Sequence, residues 1–163
     1  MALEQQNTPL RILVVDDNEE LVFLIGESLR RLGHYQVETA SDGIEGLRRF
    51  YELRPDCMVI DVKMPGLDGY QLVRLLRGDP DSEAMPIVML TALVQDRDRF
   101  DGLSSGADRY LTKPARPTEI VAAIREALAA SEEDRIRHFQ ELSEDFPFLL
   151  ESDDRVSSTQ DTL

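Results

Sequence analysis

Short apolar runs alternate with longer amphipathic stretches along this chain. "LRILVV", residues 10–15, is a run rich in branched residues and has the length of a buried strand. Leu21, Ile25, Leu29 and Leu32 then recur at helical spacing, and Gly33 stops the pattern. "YQVETA" reads as a second strand, and "SDGIEGLRRFYELR" as a helix with Ser41 or Asp42 as its cap and Pro55 as its end. "DCMVIDV" is a third buried strand, followed by the turn-rich "MPGLDG" and the helix "YQLVRLLR". "MPIVMLTA" is a fourth strand, and "DRDRFDGLSSG" after it is a weak helix. "ADRYLTKP" is a fifth strand ending in Pro114, and "PTEIVAAIREALAA" is a fifth helix opened by Pro117 and Thr118. Five strands alternating with five helices predict an α/β fold, a doubly wound parallel sheet with helices on both faces.

Charge changes the picture at the end of the chain. The 163 residues carry a net charge of −14, from 18 basic and 32 acidic side chains. Half of that excess follows Ser131, where ten acids face three arginines. A chain this acidic repels phosphate backbones, so nucleic acid is not expected as a direct partner. The lone cysteine, Cys57, excludes an internal disulfide and a zinc cluster. There is no apolar run of membrane-spanning length, so the expectation is a soluble cytoplasmic protein without a membrane partner. Only two of the 18 basic residues are lysines, Lys63 and Lys113, and both lie near strand ends.

Ligands of open parallel sheets bind beyond the carboxyl ends of the strands. Here those ends carry Asp16 and Asp17 on the first strand, Asp61 on the third, Thr91 on the fourth and Lys113 on the fifth. Three crowded carboxylates raise one another's proton affinity, a conflict that a hard divalent cation removes. A carboxylate can take up a phosphoryl group as an aspartyl phosphate. Such a transfer needs charge neutralisation more than covalent help. An ammonium supplies a compact charge, and a threonine hydroxyl a hydrogen bond. Taken alone, the acidic pair reads equally well as a solvated turn; the register with Asp61 and Lys113 favours a site.

"VVDDN", "VIDVKMPGLDG", "MLTA" and "YLTKP" together resemble the receiver domain of two-component response regulators. The spacings of 44 residues from Asp17 to Asp61, 30 to Thr91 and 22 to Lys113 match that family, over residues 9–131. The resemblance implies a flavodoxin-like strand order of 2-1-3-4-5. It implies Asp61 as phosphoacceptor, with Asp16, Asp17, Asp61 and the Lys63 carbonyl as Mg2+ ligands. Thr91 and Lys113 would bind the phosphoryl group, Tyr110 would be the aromatic switch partner of Thr91, and the Lys113–Pro114 bond would be cis. The implied partners are a histidine kinase or histidine phosphotransfer protein and a downstream effector protein. Val22 and Phe23, partly outside the inward arc of the first helix, become candidate kinase contacts. The Lys63 side chain either influences phosphate loss or is merely solvated.

A haloacid-dehalogenase-type phosphohydrolase needs a second aspartate two residues after the nucleophile, where Lys63 stands. A flavin carrier needs a hydroxyl- and glycine-rich loop where "DDNEEL" stands. A pseudo-receiver that ignores phosphate would have lost an acidic or lysine position, and none is lost. The expectation is therefore a stand-alone regulator that acts on itself rather than as a conventional enzyme. Residues 1–8 read as a tail, and residues 132–163 as an acidic extension without a DNA-binding output domain. In that extension Ile136, Phe139, Leu142 and Phe146 recur at helical spacing. The fifth helix would continue through about Glu141, suiting a homodimer or packing on the receiver, or else it would fray into disorder.

Overall fold

A computed structural model describes residues 8–92 and 106–145. The chain divides into two units, Met1–Ala130 and Ser131–Leu163. The first holds β1 (Arg11–Val15), α1 (Glu19–Gly33), β2 (Gln36–Ala40), α2 (Gly43–Leu53), β3 (Cys57–Asp61), α3 (Gly69–Gly78), β4 (Ile87–Thr91), β5 (Arg109–Thr112) and α4 (Pro117–Ala129). The strands form one parallel sheet in the order β2-β1-β3-β4-β5, the flavodoxin-like arrangement. The weak helix expected over residues 96–106 lies, except for Gly106, outside the described residues.

The central strands are continuous branched runs because both of their faces are covered. Ile12, Val14, Cys57, Val59, Val88 and Leu90 pack on one side against Ile25 and Leu29 of α1 and Ile120 and Ile124 of α4. Leu13, Val15, Met58, Ile60, Ile87 and Met89 pack on the other against Phe50 of α2 and Leu72, Val73 and Leu76 of α3. Each fully buried Leu or Ile contributes about 1.5–3 kcal/mol. Cys57 is one of these core side chains, and burial, its largest influence, lifts its thiol far above the ordinary range.

Helix ends follow local chemistry. Asn18 caps α1 through Leu21 N, and Asp42, not Ser41, caps α2 through Glu45 N. Asp68 and Gln71 close a capping box at the start of α3. The left-handed residue ending α1 is His34, at φ 54°, one position beyond the Gly33 of the sequence pattern. A Cβ on Gly33 would come within 2.2 Å of the Tyr35 ring, so that position needs space.

The inward arc of α1 differs from the expectation. Val22, Ile25, Gly26 and Leu29 are buried, whereas Leu32 is exposed. Val22 thus falls on the buried face, while Phe23 beside it is 64% exposed. Val22 joins Ile25 and Leu29 in the cluster with Ile12, Val14 and Val37, so the buried face is set by packing against β1 and β2.

The fifth helix does not run on into the acidic extension. It ends at Ala130, which has extended backbone at φ −65° and ψ 126°. The second unit begins a new helix, α5 (Glu132–Asp145), whose first turn is closed by reciprocal bonds between Ser131 and Asp134. Leu142 lies in this helix; Phe146 lies outside the described residues. Among the described residues no helix is long and apolar enough to cross a membrane.

Candidate functional site

The strand register aligns the carboxyl ends of β1, β3, β4 and β5. Val15 pairs with Ile60, Asp61 with Leu90, and Thr91 with Thr112. The residue after Val15 therefore arrives beside Asp61, and the residue after Thr112 leaves the sheet at the same rim, across β4 from them. Carboxylate oxygens of Asp16, Asp17 and Asp61 all lie within 4.8 Å of one another. Asp16 and Asp61 are buried, and Asp17 is exposed at the rim.

Lys113 reaches into this cluster. Its Nζ lies 2.5 Å from Asp61 Oδ1 and 3.2 Å from Asp16 Oδ2. Its backbone N donates to Thr91 O at 2.7 Å, which ties β5 to the end of β4. The Lys113–Pro114 peptide bond is cis. Asp16 is held from the other side by Asn18 N, which donates to its Oδ1 at 2.9 Å. Asn18 thus caps α1 and orients a carboxylate at once. The sequence reading passes over it, although an Asn after an acidic pair and before a helix carries that signal.

Burial is the largest influence on Asp61 and lifts its carboxyl. The Lys113 hydrogen bond pulls it back, the charges of Asp16 and Asp17 push it up again, and the net position is above the ordinary carboxylate. Lys113 is pulled down by burial, but its bonds to and the charges of Asp61 and Asp16 outweigh this and raise it. A carboxyl whose folded pKa is raised binds its proton more tightly in the folded state. Its ionisation therefore costs stability as pH rises through that interval. In metal-free buffer, Asp61→Asn should accordingly raise Tm at neutral pH, and the advantage should shrink as pH falls toward about 4. Scanning fluorimetry with EDTA reads this; a lower Tm for the variant at neutral pH would mean that the Lys113 bond outweighs burial.

The remaining expected residues lie around this centre. Thr91 is buried at the end of β4, one position past the partner of Asp61. Lys63 is exposed in a shallow mouth of about 540 Å³, lined also by Asp17, Met64, Asp68 and Tyr70. Tyr110 is half-buried in β5, outside the carboxylate cluster, and its hydroxyl accepts from Ala107 N at 3.2 Å. Phe23 lies on α1, and the structure gives it no bond to the cluster.

The model of the response regulator receiver domain matches residues 12–125. The chain belongs to that family. Among curated relatives, this receiver is 44% identical over 122 residues to the alkaline phosphatase synthesis transcriptional regulatory protein PhoP of Bacillus subtilis, a match covering 75% of this chain and 50% of that protein. It is 41% identical over 124 residues to the DNA-binding response regulator MtrA of Mycolicibacterium smegmatis, covering 76% and 53% respectively. The receiver thus spans about half the length of the curated relatives it matches. A crystal structure of a putative response regulator from Chloroflexus aurantiacus superposes with a TM-score of 0.70 at 37% identity, covering 75% of this chain and 99% of that one. The receiver domain of a sensor histidine kinase from Pseudomonas aeruginosa superposes with a TM-score of 0.69 at 33% identity, again over 75% and 99%; that structure has a magnesium ion coordinated in its active site cleft.

Proposed function

We propose that this receiver accepts a phosphoryl group on Asp61 from a histidine kinase or histidine phosphotransfer protein, and signals through phosphorylation-dependent contact with an effector protein. The observation that carries the reading is the cluster itself: three carboxylates within 4.8 Å with a lysine ammonium 2.5 Å from the central one.

Oxygen donors at this spacing suit Mg2+, which favours carboxylates and carbonyls and keeps several waters. Asp16, Asp17, Asp61 and the Lys63 carbonyl would hold it, and when bound it would supply positive charge to the phosphoryl oxygens. Asp61 attacks phosphorus through a carboxylate oxygen. The bond from phosphorus to the donor's imidazole nitrogen breaks, and its electron pair leaves with the imidazole. Lys113 neutralises a phosphoryl oxygen, and the Thr91 hydroxyl donates to another. Thr91 drawn toward the phosphate frees space for the Tyr110 ring to turn inward, a population shift in which each 1.4 kcal/mol is about tenfold. The chemistry acts on the protein itself rather than on a released substrate. Phe23, the exposed apolar residue of α1, is the proposed kinase contact.

Intact mass after incubation with acetyl phosphate and Mg2+ tests the reading. One added phosphate is expected in the wild type, and none with EDTA or in Asp61→Asn. Mg2+ binding without phosphate, with a kinase as donor as well, would instead make this a pseudo-receiver.

A further inference from the structure

The loop that follows Asp61 returns against the residue it left. Gly69, the first residue of α3, sits so close to β3 that a Cβ there would lie 2.3 Å from Asp61 O, 2.9 Å from Val62 Cα and 3.0 Å from Asp61 C. All three are backbone atoms and cannot swing aside as the end of a side chain can. Gly69 N donates to Val62 O at 2.9 Å, closing residues 62–69 at the neck. On the opposite side Val62 N donates to Leu90 O at 3.1 Å. The peptide after the phosphoacceptor is therefore gripped between β4 and the start of α3.

Gly69 has no left-handed backbone, so its role is space and not conformational freedom. Alanine is a better helix former than glycine, and Gly69 needs no backbone conformation that alanine cannot adopt. Any loss on Gly69→Ala is then steric. The helix cannot yield easily, because Leu72, Val73 and Leu76 anchor it in the core and its capping box ties Asp68 to Gln71. β3 cannot yield either, with β1 and β4 bonded on its two sides. The displacement falls on the Asp61–Lys63 segment, which carries both the nucleophile and the Lys63 carbonyl.

We infer that Gly69 is a positioning residue of the site: its bare Cα lets α3 clamp the Asp61–Val62 peptide and so sets where the Asp61 carboxylate and the Lys63 carbonyl stand. This deepens the proposed function and rests on it. The test measures Mg2+ affinity by calorimetry and the acetyl phosphate rate at saturating Mg2+ in Gly69→Ala. Leu76→Ala serves as a control, since it removes a buried side chain near the far end of the same helix and costs about 2–5 kcal/mol. Gly69→Ala should weaken Mg2+ binding by on the order of 10–100-fold, as loss of an outer support does at metal sites, while Leu76→Ala binds as the wild type does. Wild-type Mg2+ affinity and rate in Gly69→Ala, or equal losses in both variants, would overturn the inference. If Gly69→Ala does not fold, Gln71→Ala replaces it, removing the bond that Asp68 N makes to Gln71 Oε1 without adding volume. Weaker Mg2+ binding there supports the clamp, and unchanged binding overturns it. A wild type that binds no Mg2+ and takes no phosphate overturns the functional reading, and this inference with it.

Discussion

Replacing Lys113 with alanine is expected to slow phosphoryl incorporation at Asp61 by on the order of 10²–10³-fold, the usual cost of removing one preorganised donor aimed at developing charge. The ammonium is the one cation bonded to both buried carboxylates of the cluster among the described residues, and it is itself 26% exposed. Arginine is not expected to restore the rate, because its planar fork cannot take the place of a point charge set between Asp16 and Asp61. The same substitution leaves two buried carboxylates without their counter-charge, so Lys113→Ala should also melt lower than the wild type in EDTA. Added Mg2+ should then raise Tm more in the variant than in the wild type, since the ion would relieve a repulsion that Lys113 no longer shares. Time courses of intact mass with acetyl phosphate, paired with thermal scans with and without Mg2+, read both effects. A wild-type rate in Lys113→Ala would remove this residue from the transfer step.

The strand-end residues were legible in the sequence because parallel-sheet topology places every strand's carboxyl end at one rim. Once "RILVV", "CMVID" and "IVMLT" are recognised as strands, the positions of Asp16, Asp61 and Thr91 follow from chain direction alone. Each run is fully or almost fully buried, so nothing competes with the strand assignment. The face of α1 was not legible in the same way. Leu21, Val22, Phe23, Leu24 and Ile25 are five consecutive apolar residues, and periodicity cannot choose among overlapping arcs. The choice is made by tertiary packing, which places Val22, Ile25 and Leu29 against Ile12, Val14 and Val37. Gly69 was hidden for a related reason: in "MPGLDG" it reads as one more turn residue, and its function is a distance to a backbone 8 residues earlier. The break between α4 and α5 was hidden because Ala130 and Ser131 are tolerated inside a helix, and only the competing Ser131–Asp134 bonds favour a fresh start.

At the opposite end of the sheet, Arg77→Ala is expected to cost about 3–5 kcal/mol, because it removes the guanidinium counter-charge from a buried carboxylate. Asp108 is 1% exposed at its side chain, and its Oδ2 accepts from Arg77 Nη2 at 3.0 Å and from Ile87 N at 2.7 Å. The same guanidinium donates to three carbonyls: Gly106 at 2.7 Å, Glu83 at 2.8 Å and Met85 at 2.6 Å. One side chain on α3 thus fixes the entry to β4 and the entry to β5. Its loss leaves four acceptors to find other donors, Asp108 the costliest among them. Against a total stability of about 5–15 kcal/mol, this is a drop in Tm on the order of 10–20 °C. Arg77→Lys should recover only part of it, since an ammonium has three donors and no planar fork to spread over four acceptors on two segments. In a double-mutant cycle, Arg77→Ala combined with Asp108→Asn should cost less than the two single losses added together, because neutral Asn no longer needs the guanidinium. Denaturant melts of the four proteins provide the energies. The site lies at the other end of β4, so the folded Arg77→Ala protein should take phosphate from acetyl phosphate at the wild-type rate. A loss below 1 kcal/mol, or a cycle that is additive, would mean that the packing of Leu72, Val73 and Leu76 holds α3 in place and the arginine only decorates it.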